Sequence, residues 1–351
     1  MPPRYFEGSH PELAARLEEH FDRVRARWAE ISGKASSLVL GGGYGRGEGG
    51  VTNGPKGPGF FNDLDYFLFS DTPDDPDLVS WCASIEKDET ELLGADVEIK
   101  RLPEEDVNQG LGTMMFADLV GGHVTVAGEA SFLEVLNGRV DFGSIGAEDA
   151  ARLLWNRASG LYFARSKMTT DPVFVVRNHA KLKLALGDAL LCLEGDYVPR
   201  CRERGASFAS TDADKELKEW HAEAVEFKFR PVTPVLEAAE IRSESKRLAD
   251  AWLKVFLKVE ASRLSMPRLT LAGYLDLPRV FPDTPMWRNV ALAARDRMKR
   301  EACLRPWSDY PRGALMRALP CLLGLGGNAG RFLPGKVPWE DTYFRWWQFY
   351  C

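Results

Sequence analysis

Along the first third of the chain the spacing of hydrophobic positions changes repeatedly, and each change marks an element. Residues 10–32 set Leu13, Leu17, Phe21, Val24 and Trp28 at helical spacing among charged neighbours, with Pro11 suited to a first turn. Ser36-Ser-Leu-Val-Leu40 reads as a short buried strand that runs into Gly41-Gly-Gly-Tyr-Gly-Arg-Gly-Glu-Gly-Gly50. Residues 51–61, rich in Gly and Pro, predict a loop. Asn62-Asp-Leu-Asp-Tyr-Phe-Leu-Phe69 alternates and then turns apolar, as a central strand with one end at a site would. An acidic, Pro-bearing turn over 71–77 leads into a helix over 77–92, since carboxylates favour a helix start. A strand over 95–102 stops at Pro103. A helical piece near 112–120 and a strand over 123–127 come next.

From Ala147 onward the alternating pattern gives way to helical spacing at 147–168, 172–194, 211–229, 233–264 and 285–302. The predicted fold is therefore α/β (α+β). A small mixed-sheet domain with an N-terminal helix covers 1–145, an all-helical domain covers 146–351, and the site is expected between them. A length of 351 residues supports two cores. The aromatic tail, with Trp339, Tyr343, Phe344, Trp346, Trp347, Phe349 and Tyr350, predicts a terminal helix docked on the core.

Composition narrows the partners. A net charge of −6 argues against a broad basic face gripping a nucleic-acid backbone. Six scattered cysteines, without C-x-x-C, predict reduced thiols rather than a zinc site or disulfide framework. The opening Met-Pro-Pro-Arg lacks the apolar core of a signal peptide, and no apolar run is long enough to span a bilayer, so a cytoplasmic location is expected.

Three pieces carry chemistry, in order: the strand ending in a Gly-rich turn, the strand with Asp63-Leu-Asp65, and the strand with Asp96-Val-Glu98. Side chains alternate along a strand, so Asp63 and Asp65 share a face, as do Asp96 and Glu98. If the strands are neighbours, carboxylates converge. Like charges at close range oppose ionisation and folding unless cations offset them. Two Mg²⁺ ions suit such hard-oxygen ligands and would bridge the oxygens of an in-line phosphoryl displacement. Glycines allow the backbone N–H groups to approach a phosphate.

This arrangement resembles the DNA polymerase β-like nucleotidyltransferase superfamily. The resemblance rests on Leu40-Gly-Gly-Gly43 with Arg46-Gly-Glu48, then Asn62-Asp63-Leu-Asp65-Tyr-Phe, then Val97-Glu98-Ile, within residues 36–102. It implies that Asp63 and Asp65 bind both metals and that a third carboxylate, Glu98 or Asp96, helps activate the attacking hydroxyl. It also implies that Gly42, Gly43, Arg46 and Glu48 form the nucleotide-binding turn. Glu98 is favoured over Asp96. The sequence departs from the family in a longer gap between turn and D-x-D, read as a mobile insertion with Lys56 as a phosphate contact, and in Gly43 where the family commonly has serine. Arg46 either pairs with a carboxylate to hold the turn or faces phosphate.

The implied activity is Mg²⁺-dependent transfer of a nucleotidyl group from an NTP, with ATP expected, to a hydroxyl of a small-molecule or protein acceptor, releasing pyrophosphate. The alternative is a non-catalytic nucleotide sensor or antitoxin-like interaction protein on the same fold. In the helical domain Arg177, Lys181 and Asp188 lie on one stripe. Lys181 is the candidate triphosphate contact, set against a solvated charged face, and His179 is read as a packed histidine. Gly45-x-Gly47-x-x-Gly50 with Asp65 about 20 residues on mimics a dinucleotide fingerprint, but Val51 to Pro58 breaks the helix that motif requires. No Gly-Lys-Ser/Thr, H-R-D or D-F-G is present.

Overall fold

The computed structural model describes residues 5–54, 57–232, 237–281, 284–298, 309–333 and 339–350. Its elements begin with α1 (Pro11–Trp28), β1 (Ser37–Leu40), the one-turn α2 (Gly42–Gly45), β2 (Val51–Gly54), β3 (Gly57–Phe60) and β4 (Leu64–Phe69). Next come α3 (Pro76–Leu93), β5 (Val97–Leu102), α4 (Glu104–Gln109), α5 (Met114–Gly121), β6 (Val124–Gly128) and α6 (Ser131–Asn137). The chain continues through helices α7 (Ala147–Ala164), α8 (Pro172–Glu194), α9 (Cys201–Ser210), α10 (Lys215–Phe229) and α11 (Ala238–Arg263). The last four are α12 (Leu271–Asp276), α13 (Met286–Met298), α14 (Pro311–Leu322) and α15 (Glu340–Tyr350). The mixed sheet followed by helices agrees with the expected α/β class.

Contacts divide the chain into one unit of Met1–Gly146 with Glu194–Val232, and another of Ala147–Leu193 with Thr233–Cys351. The first division falls after Gly146. The return of α9 and α10 to the first unit was not foreseen, because a helix carries the same periodicity whichever core it joins.

In the first unit the sheet runs β5-β4-β1-β6, with β1 antiparallel to β4 and β6, and β4 parallel to β5. Alternation sends Leu38, Leu40, Leu64, Tyr66, Leu68, Val97 and Ile99 into a core with Leu17 and Phe21 of α1 and Leu78 and Ile85 of α3. Val39, Phe67, Phe69 and Leu102 face the other way, into a second core with Val107, Leu119, Val120 and Leu133. Burying each such side chain stabilises the unit by about 1.5–3 kcal/mol relative to exposure. Helix α3 starts where Asp75 accepts a hydrogen bond from Asp77 N–H with Pro76 in its first turn, and ends at Gly94 at φ 68°. Its Thr90 and Glu86 accept from Val97 N–H at 2.9 Å and Ile99 N–H at 2.7 Å, which satisfies the outer edge of β5 and blocks further strand pairing.

The Gly/Pro-rich stretch corrects the sequence reading. Residues 51–54 and 57–60 form an antiparallel strand pair, β2 with β3, from Val51–Phe60 to Gly54–Gly57. Glycine content suggested a loop, but Val51 and Phe60 are buried and the ladder is made by backbone alone. Lys56 lies outside the described residues.

In the second unit α7 packs along α11, with Trp252 Nε1 donating to Leu154 O at 3.1 Å. The aromatic tail docks as expected: Tyr343, Trp346 and Tyr350 are buried, and Tyr343 Oη receives Trp155 Nε1–H at 2.9 Å. The predicted helix over 285–302 is seen as α13, its residues beyond 298 lying outside those described. Among the described residues no helix is long and apolar enough to cross a membrane.

Candidate functional site

Strand β1 delivers the chain into the glycine turn, where Gly41 N–H donates to Asp65 O at 2.8 Å and locks the turn against the start of β4. Gly42 has φ +59°, and a Cβ there would overlap Asp65 Oδ2, so only glycine lets the turn lie over this carboxylate. Gly43 O accepts from Glu48 N–H at 2.7 Å, closing the turn on itself.

The β2–β3 pair positions the entry to β4. Tyr44 Oη donates to Gly50 O at 3.0 Å and receives Phe61 N–H at 3.1 Å, while Asn62 Oδ1 receives Gly50 N–H at 2.7 Å. The insertion is therefore clamped at its base, immediately before Asp63.

The parallel ladder pairs Asp65 directly with Glu98. Both side chains leave the sheet on the face that carries Phe67, and Asp63, one residue before β4 begins, lies near enough for its charge to act on Glu98. Asp96 is held beside Asp63 through its carbonyl, which accepts from Leu64 N–H at 2.8 Å. Asp63 and Asp65 are half-buried, whereas Asp96 and Glu98 are exposed. Asp96 and Glu98 also line an open groove of about 580 Å³ against Glu86 and Thr90 of α3. Partial burial, then the charges of Asp65 and Asp63, push the Glu98 carboxyl above its ordinary range, with Lys100 opposing. The acidic groups are thus neighbours in register and feel one another. Yet among the described residues no three His, Cys, Asp or Glu side chains are closed into a metal-ligand cluster. The donor chemistry is hard oxygen throughout, and the glycine-shaped space over Asp65 is one that a side chain would fill.

Arg46 and Glu48 occupy a buried ionic set. Arg46 Nη1 lies 3.2 Å from Asp118 Oδ2, and its Nε lies 3.6 Å from Glu48 Oε2. Glu48, 5% exposed, accepts from Cys201 N–H at 2.7 Å and from Lys228 Nζ at 2.8 Å. Burial opposes its ionisation, but Lys228, Arg46 and the Cys201 amide outweigh that and hold its carboxyl below the usual range. Tyr197 Oη donates to Asp118 at 2.9 Å. Of the two roles open to Arg46, pairing with carboxylates is the one seen. No spacing in the sequence signals that residues 197, 201 and 228 close on the turn.

On the face opposite the carboxylates, Tyr66 Oη meets His20 Nε2 at 2.6 Å, and His20 Nδ1 meets Glu89 at 2.8 Å. Arg23 adds a 2.7 Å contact to the same Glu89 oxygen. Burial lowers the His20 pKa, and Glu89 stays ionised through Arg23 and His20 against its own burial. An ionised Glu89 only accepts, so Nδ1–H donates to it and Nε2 accepts from Tyr66. This network braces β4 from behind.

Lys181 sits half-buried on α8 in the second unit. Its stripe is not a solvated face, since Asp188 is 5% exposed. His179 is a packed histidine: it is buried, meets Ser245 Oγ at 2.8 Å, and burial lowers its pKa to about 4.

Compared with protein-family models, curated proteins and solved structures, the chain matches none.

Proposed function

We propose that the first unit is a Mg²⁺-dependent nucleotidyltransferase, moving NMP from an NTP, with ATP as the expected donor, to a hydroxyl of a small-molecule or protein acceptor with release of pyrophosphate. The observation that carries this reading is the register of Asp65 against Glu98, under a turn whose Gly42 admits no side chain. Asp63 and Asp65 would hold magnesium, with Glu98 as the third carboxylate and Asp96 as its rival. Bound there, magnesium would supply charge neutralisation at the transferring phosphate and relief of the repulsion that raises the Glu98 pKa.

Glu98 is suited to receive the acceptor's proton. It is reachable from the groove and laddered beside Asp65, and with magnesium offsetting the charges of Asp63 and Asp65 it would stand ionised and able to accept a proton. Backbone N–H groups at Gly42 and Gly43 would meet the phosphates directly, since one turn of helix carries little macrodipole. Arg46 and Glu48 act as positioning residues that fix the turn.

Incubating the chain with labelled NTPs, Mg²⁺ and a cell extract tests the reading. Pyrophosphate release with a nucleotidyl-modified product, lost in Asp65→Asn, supports it. Tight nucleotide binding with no pyrophosphate release sinks it in favour of a nucleotide sensor.

A further inference from the structure

We propose that the concavity at the C-terminal end of α11, ringed by Lys254, Lys258 and Arg268, binds a phosphate-bearing small polyanion. This pocket of about 620 Å³ lies in the second unit and is lined by no acidic residue. Lys254 and Lys258 stand four apart on one helix face, where like charges repel. Among the described residues neither has an ion pair, and the nearest acidic group upstream on that face, Asp250, is bonded to Lys246 at 2.9 Å. Arg263, close by in sequence, is committed to Glu260 and Glu148. The helix dipole does not account for the two lysines, because its effect fades within the last turn and both precede that turn of α11. Three cations facing one hollow, none of them in an ion pair among the described residues, in a chain of net charge −6, are explained by an anion that they share.

The backbone gives a second, independent pointer. Helix α11 closes with Met266 N–H on Ala261 O at 2.8 Å and Ser265 N–H on Ser262 O at 3.1 Å. This termination puts a left-handed residue at the position of Ser265, where glycine is unstrained. Ser265, at φ 56°, is the one non-glycine residue with positive φ among the described residues, and it lines the pocket. Strain of this kind is tolerated where the side chain has a function to perform. A serine there brings a hydroxyl donor to the same hollow as the three cations, a donor that glycine lacks. Charge count and size fit a di- or triphosphate or a phosphorylated headgroup. A nucleic-acid strand would need a longer basic track.

The probe is inorganic tripolyphosphate, titrated calorimetrically into the full chain in metal-free buffer, beside co-sedimentation with phosphatidylcholine vesicles doped with a phosphoinositide. The expected result is saturable binding of one or the other. Binding of tripolyphosphate alone identifies a free phosphate compound, and binding of vesicles identifies a headgroup. In either case Lys254→Glu with Lys258→Glu weakens binding by about tenfold or more, and added salt weakens it further. Both lysines are exposed, so the double variant should fold, as circular dichroism will verify. Ser265→Gly is expected to raise Tm by a few degrees while weakening binding severalfold, a combination that a purely structural serine would not give. No binding of either probe, or equal affinity in the double variant, overturns the proposal. Equal affinity in Ser265→Gly removes the hydroxyl's part in it.

Discussion

Glu48 on the glycine turn and Lys228 on α10 meet at 2.8 Å across 180 residues of chain, and this contact fixes the turn that lies over Asp65. With Cys201 N–H on its other oxygen, Glu48 joins the turn to both helices of the returning segment. Glu48→Ala leaves Lys228 and Arg46 short of a counter-charge in a buried place, which costs about 3 kcal/mol. Chemical denaturation will measure it. The folded pKa is depressed, so this stabilisation is present above the ordinary carboxylate value of 4.5 and is lost as pH falls through the lower folded value. Unchanged stability in the variant would show the contact to be incidental.

Gly42→Ala combines a left-handed backbone with overlap on Asp65 Oδ2. The expected cost is about 1–3 kcal/mol, together with displacement of the carboxylate. A melting curve checks the first. Loss of any Mg²⁺-dependent nucleotide binding checks the second.

Glu98 carries a raised pKa, so its ionisation opposes folding. The folded state binds more protons than the unfolded chain between 4.5 and the raised value, and stability falls as pH rises through that window. In magnesium-free buffer Glu98→Gln should be slightly more stable than the parent at neutral pH, by less than about 1 kcal/mol after solvent screening. The two should converge below the carboxylate range. A variant less stable at neutral pH would mean that attractive contacts dominate at this position.

His20 presents the opposite sign. Its folded pKa lies below the ordinary 6.5, so the unfolded chain takes up the proton first, and stability drops as pH falls from 6.5 to the folded value. Glu89, depressed in turn, adds a further loss as pH falls below 4.5. Tyr66→Phe should cost about 1–2 kcal/mol by leaving Nε2 without its donor. Urea midpoints across this range should shift downward in two stages, and His20→Gln should remove the first. A flat profile in the parent would rule out a neutral buried His20.

If the proposed reaction is correct, Asp63→Asn and Asp65→Asn each reduce kcat by about 10²–10³-fold with little change in Tm. Glu98→Gln lowers kcat and abolishes its acid limb. Asp96→Asn leaves both nearly intact. Initial rates from about pH 5 to 9 separate Glu98 from Asp96, and full activity in Glu98→Gln would reassign the third carboxylate.

The amino-acid order alone determined which residues form the strands of the sheet and that a glycine turn precedes Asp63 and Asp65. Each depends on a period of two or 3.6 residues and on backbone freedom within a few positions, which any local stretch expresses by itself. Only the tertiary structure decided that Asp65 is laddered to Glu98, that Glu48 is held by Cys201 and Lys228, and that α9 and α10 return to the first unit. It also decided that residues 51–54 pair with 57–60. Register, ion-pair choice and the docking of a helix are settled by which distant groups lose water together. That free energy is shared across the whole core and is written into no single segment.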